Sequence, residues 1–215
     1  DGSRSYVAQD TWFDAFVLFA SDDAVAPDGS EVLVTKSGSV VAIDLASGAR
    51  RIVAPGSSAR WSPDGAWILV GNAVVARDGT PLATLPFGEG RWSPDGQEIL
   101  RGLDLVRRDG TDVRQLPLPI ELGYTLGTPC FLGSAWRGDA RIALHIGRWV
   151  EAPQQGLTTV CRADRVFIHD PASGESREAQ PLRGAPFSDQ WSPDGSRLLH
   201  PVTTGDAWEV TREVE

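Results

Sequence analysis

One pentapeptide, Trp-Ser-Pro-Asp-Gly, occurs three times in this chain, at 61–65, 92–96 and 191–195. A looser copy, Val25-Ala26-Pro27-Asp28-Gly29, precedes them. Proline fixes φ for a first turn position, aspartate bonds back to nearby backbone, and glycine accepts positive φ. The motif therefore turns one strand tightly into the next. An apolar strand follows each copy: Val32-Leu33-Val34, Ile68-Leu69-Val70, Ile99-Leu100 and Leu198-Leu199. A second hairpin comes after it, turning at Ala46-Ser47-Gly48, Asp78-Gly79-Thr80 and Asp109-Gly110-Thr111. Each unit reads as four short antiparallel strands, the size of a propeller blade.

A fourth unit hides between the second and third exact copies. Ala135-Trp136-Arg137-Gly138-Asp139-Ala140 resembles the pentapeptide with proline lost and Gly-Asp inverted, and Ile142-Ala143-Leu144 supplies the next strand. Val166–Asp170 and Pro171-Ala172-Ser173-Gly174-Glu175 begin its second hairpin. The expectation is an all-β propeller of five four-stranded blades, about 21–55, 56–87, 88–118, 126–182 and 183–215, with six blades as the alternative. The last unit shows three strands. The segment 4–9 is expected to supply its outer strand and close the ring, since an open array leaves strand edges exposed.

These residues resemble the WD40-like (PD40) repeats of TolB-type propellers, from about Ala24 to Thr211. That family is commonly six-bladed. It includes protein-binding modules, accessory domains of peptidases and a few carbohydrate-active enzymes. The resemblance implies a fold more than an activity.

Composition narrows the partners. Formal net charge is −9, against a phosphate-backbone binder, which needs a basic face. The longest apolar run, Ala15–Ala20, is too short to span a bilayer and reads as a buried strand. The chain starts at Asp1 and contains no methionine, as expected of an excised or processed piece, with a lost signal peptide or anchor compatible with it. Cys130 and Cys161 lack metal-ligand spacing, and no cofactor is expected. They are either a disulfide or two buried thiols. The disulfide reading closes about 30 residues, contributes about 3–4 kcal/mol in the chain-entropy model and implies an oxidising compartment.

Candidate functional residues fall into two groups. The repeated ones read as scaffold: Trp61, Trp92 and Trp191 as inter-blade packing, and the turn aspartates 28, 64, 95, 139 and 194 as local acceptors. Asp22-Asp23 near Asp28 is the nearest approach to a calcium loop, and no metal is expected. Arg137-Gly138-Asp139 reads as a turn, as does His169-Asp170 near Ser173; no nucleophile elbow is present. The informative positions are where repetition breaks. The connection from second to third strand in blade four is expected to be a loop from His145 to Thr159, carrying Arg148, Trp149, Glu151 and Gln154-Gln155. The entry to blade four carries Glu121 and Tyr124, and the entry to blade one carries Trp12. All three are expected on one face, where loops on a rigid scaffold bind. Three functions follow: a non-catalytic extracytoplasmic module binding a protein, peptide or glycan through that face; a polysaccharide lyase or hydrolase using His145, Arg148 and His200; or a structural spacer.

Overall fold

A computed structural model describes residues 18–19, 23–118, 120–152, 157–179, 190–191 and 198–199. The chain divides into two compact units, 1–101 with 106–113, and 102–105 with 114–215. Among the described residues four antiparallel four-stranded sheets follow one another. The first is β1 (Leu18–Phe19), β2 (Glu31–Lys36), β3 (Ser39–Asp44) and β4 (Arg50–Pro55). The second is β5 (Ala59–Trp61), β6 (Trp67–Val70), β7 (Ala73–Ala76) and β8 (Pro81–Thr84). The third is β9 (Arg91–Trp92), β10 (Glu98–Arg101), β11 (Asp104–Arg107) and β12 (Arg114–Gln115). The fourth is β13 (Pro129–Trp136), β14 (Ile142–Ala152), β15 (Leu157–His169) and β16 (Ser176–Glu178). A fifth sheet is described only as β17 (Gln190–Trp191) paired with β18 (Leu198–Leu199). Every sheet runs in chain order, as a meander must when each connection is a tight turn or short loop. The first sheet begins before the expected boundary at 21, because Leu18 and Phe19 pair with Thr35 and Val34. The expected closing strand 4–9 and most of the unit 183–215 lie outside the described residues.

The repeated turn works as its chemistry requires. The Ser62 N–H donates to the Trp67 carbonyl, and the Gly65 N–H to the Ser62 carbonyl. Asp64 Oδ1 accepts the Ala66 N–H at 3.0 Å. Ser62 Oγ accepts the Trp67 N–H at 2.9 Å. Ser93 and Asp95 repeat the arrangement in the third sheet. Gly65 sits at φ +68°, where a side chain is strained. The degenerate turn of the fourth sheet solves the problem differently. Its bonds, Arg137 N–H to Arg141 carbonyl and Ala140 N–H to Arg137 carbonyl, match those of the Asp78-Gly79-Thr80 hairpin. Ala140 stands where that hairpin has glycine and takes φ +62°. Ala140→Gly is therefore expected to stabilise by about 1 kcal/mol, the left-handed penalty less the added backbone entropy. A rise in the thermal midpoint would show it; a fall would sink the idea.

The acceptor aspartates also predict a pH response. Asp28, Asp44, Asp78, Asp109 and Asp170 are all held below their ordinary value of 3.8. The first cause in each is a hydrogen bond from a residue two or three positions on, namely Ser30, Ser47, Thr80, Thr111 and Ala172. A lowered folded pKa means stability present above the unfolded value and lost as pH falls through the folded one. The urea midpoint is expected to be flat from about pH 7 to 5 and to fall toward pH 3.

In the first unit the sheets interlock through side chains that recur with the repeat. Central strands such as β6 and β10 bury consecutive apolar residues, Ile68-Leu69 and Ile99-Leu100, because both faces of the sheet are covered. The Trp61 indole is buried and its Nε1 donates to the Ala24 carbonyl at 3.1 Å. Trp92 Nε1 donates to the Arg60 carbonyl at 3.3 Å. Each indole thus reaches the preceding repeat, one residue before that repeat's own Trp position. A second link runs between arginine and the residue opening the preceding second strand. Arg77 Nε donates to Glu31 at 2.8 Å while stacking 5.2 Å over Trp61. Its counterpart Arg108 lies 5.3 Å over the Trp67 ring, which occupies the Glu31 position of the next repeat.

Candidate functional site

The expected long loop of blade four is instead a β-hairpin. Residues His145, Arg148, Trp149 and Glu151 lie within β14, paired residue by residue with β15 from Ile142↔His169 to Ala152↔Leu157. Cys161 accordingly lies inside the third strand rather than before it. The reason is local: Trp149, Val150, Thr158, Thr159, Val160 and Cys161 are residues that strands favour. Interspersed Arg148, Glu151 and Arg162 break the apolar run without breaking the ladder. Gln154-Gln155 lies outside the described residues.

Cys130 and Cys161 form a disulfide. It joins β13 to β15 past the strand between them, with Cα atoms 6.0 Å apart. Flat strands flanking a third would stand about 9–10 Å apart. Register shifts at Phe131/Gly133 and Ile146/Gly147 lie just beside this point, and bulges bend and twist a ladder. The hairpin is therefore curled where the disulfide crosses it.

Trp149, whose Cα partner is Cys161, organises the entry segment. Its Nε1 donates to the Gly123 carbonyl at 2.7 Å. Its backbone N–H donates to Thr128 and its carbonyl accepts from Gly127. The Gly123 N–H donates to Pro129, and the Thr128 N–H donates to Thr125. An irregular segment is thereby fixed along a strand. On it Tyr124 is 92% exposed, with its ring centroid 6.3 Å from that of Trp149. Leu122 and Leu126 on either side are exposed as well. Sequence reasoning named Tyr124 and Trp149 separately, and the structure brings them together. It missed Leu122 and Leu126, although the alternation Leu118, Ile120, Leu122, Tyr124, Leu126 was there to be read. Glu121 and Glu151 are exposed nearby in the chain, and Arg148 is exposed next to Trp149.

Other candidates separate from this surface. His145 is buried, 6% exposed, and so is not a surface binding residue as expected. His200 and Trp12 lie outside the described residues, as do Asp22 and Asp194. His169 is buried with Nδ1 2.9 Å from Ser176 Oγ, and burial lowers its pKa. Its neighbour Asp170 accepts the Ala172 N–H, capping its own turn. Arg137 is 6% exposed, which removes the Arg-Gly-Asp tripeptide from display. Among the described residues no three His, Cys, Asp or Glu side chains cluster to hold a metal.

No family model matches the sequence, and no curated protein matches it. Solved structures do. TolB from Acinetobacter baumannii aligns with a TM-score of 0.50 at 16% identity, covering 85% of this chain and 48% of that one. A protein described as a TolB from Agrobacterium tumefaciens aligns with a TM-score of 0.50 at 16% identity, covering 86% of this chain and 70% of that one. The chain thus spans about half the length of the first. At such identity the likeness is one of fold: antiparallel meander sheets of the TolB-like β-propeller kind.

Proposed function

We propose that this TolB-like chain is a non-catalytic interaction module, working outside the cytoplasm and binding a protein, peptide or glycan through the Tyr124–Trp149 surface. One observation carries the reading. An almost fully exposed tyrosine and two exposed leucines sit on a segment pinned by hydrogen bonds of Gly123, Gly127, Thr128 and Trp149. Exposed apolar residues held rigid present contact area without an ordering cost, the signature of an interface anchor. The disulfide supports an oxidising compartment. PD40-type repeats, resembled in sequence, and the TolB-like fold fit a binding role. The lyase or hydrolase reading loses support with His145 buried in β14.

The test is a photocrosslinking residue at Tyr124 in the native host. A discrete adduct is expected, lost on Trp149→Ala, with none from the same probe at exposed Leu82. Identical adducts from both positions would remove the assignment of this surface.

A further inference from the structure

We infer that the Tyr124–Trp149 surface takes an arginine- or lysine-bearing segment of a partner protein, the cationic side chain lying against the aromatic pair. The inference rests on the reading of this surface as a binding site and concerns what fills it. Its basis is the sign of the charges on the described residues that carry the aromatic pair. From Leu118 to Pro129 the single ionisable side chain besides Tyr124 is Glu121. On β14, residues two apart share a face, so Glu151 stands on the side of Trp149 while Arg148 points to the other. Across the ladder, that face holds Cys161 opposite Trp149 and Thr159 opposite Glu151, neither of them basic. Glu121 and Glu151 are exposed, and among the described residues neither has an ion-pair or hydrogen-bond partner. Several carboxylates elsewhere do pair with arginines: Glu31 with Arg51 and Arg77, Asp23 with Arg60, Glu178 with Arg165.

Two exposed carboxylates, Glu121 three residues before Tyr124 and Glu151 two residues beyond Trp149, thus accompany the aromatic pair. A guanidinium or ammonium within about 6 Å of an indole or phenol centroid is attracted to the ring face. Glu121 and Glu151 would hold it by charge, and Leu122 and Leu126 would contact the aliphatic residues beside it. Arginine suits this best, since its planar head stacks and pairs with a carboxylate at once. An anionic partner would be repelled, while a neutral sugar donates hydroxyls to carboxylates without calling for a compensating charge.

Fluorescence polarisation on the full chain tests this with a labelled octapeptide alternating Leu and Arg, against its Leu–Glu counterpart. At about 0.15 M salt the arginine peptide is expected to bind at least about tenfold tighter. Glu121→Gln with Glu151→Gln should weaken it about tenfold, and Tyr124→Ala likewise. The control pair Glu89→Gln with Glu175→Gln, equal in charge change, should alter binding less than about twofold. Equal loss in both pairs would show attraction to overall negative charge and overturn the inference. If Tyr124→Ala alone matters, or neutral chitotetraose binds in a Tyr124-dependent way that ignores the glutamates, the surface binds but its charge does not choose the ligand. If no substitution matters here and the Tyr124 crosslink also fails, the surface assignment falls with it.

Discussion

Truncating Trp61 to alanine is expected to lower the free energy of unfolding by about 3–5 kcal/mol, the range for removing a large buried aromatic. The indole is 3% exposed, packs within the core shared by the first two sheets, and carries Arg77 over its face. Its Nε1 also satisfies the Ala24 carbonyl. Trp61→Phe separates the two contributions. It retains most of the ring and loses the hydrogen bond, so about 1–2 kcal/mol is expected. Trp92 occupies the same repeat position and should show the same order of effects. Urea midpoints of the four variants check this. A Trp61→Ala loss under about 1 kcal/mol would remove the case for the indole as the link between sheets.

Replacing Cys130 and Cys161 together by alanine is expected to cost about 3–4 kcal/mol, from the entropy of a chain no longer closed between residues 31 apart. Reduction of the unmodified protein should give a similar loss, measured by urea unfolding with and without dithiothreitol. A second readout follows from position. Cys161 is the Cα partner of Trp149, and Trp149 holds Gly123. Loss of the bridge should therefore weaken the near-ultraviolet circular dichroism of the Tyr124–Trp149 pair. An unchanged aromatic signal with lost stability would mean that the disulfide acts on the unfolded chain alone.

Most of the architecture is legible because turns depend on few residues. Asp64, Gly65, Asp78 and Gly79 specify their hairpins through bonds spanning five residues or fewer, so local spelling suffices. The role of Trp61 follows from its recurrence, and the cysteine pair from count and placement. The hairpin β14–β15 was hidden for a physical reason. Its two faces mix Arg148, Glu151 and Thr159 with Trp149 and Val150, so neither a continuous apolar run nor clean alternation marks it. The turn at Arg137–Ala140 is legible as a degenerate copy of the repeat, but its form is not, because alanine does not announce positive φ. The Glu31–Arg77 link joins residues far apart in the chain, and no periodicity within one unit can reveal it. The surface at Tyr124 depends on both kinds of hidden information, an extended strand and a long-range bond from Trp149.

The indole bonds from Trp61 to Ala24 and from Trp92 to Arg60 have a consequence for how such a chain can lengthen. In the second unit donor and acceptor lie on adjacent residues, the Arg60 carbonyl just before Trp61. A duplicated unit therefore arrives with both halves of its joint: its indole fits the unit before it, and its carbonyl receives the indole of the unit after. Copying adds a blade without requiring a compensating change in either neighbour. Divergence is then free to collect where the joint is not, as it has in the hairpin of the fourth sheet.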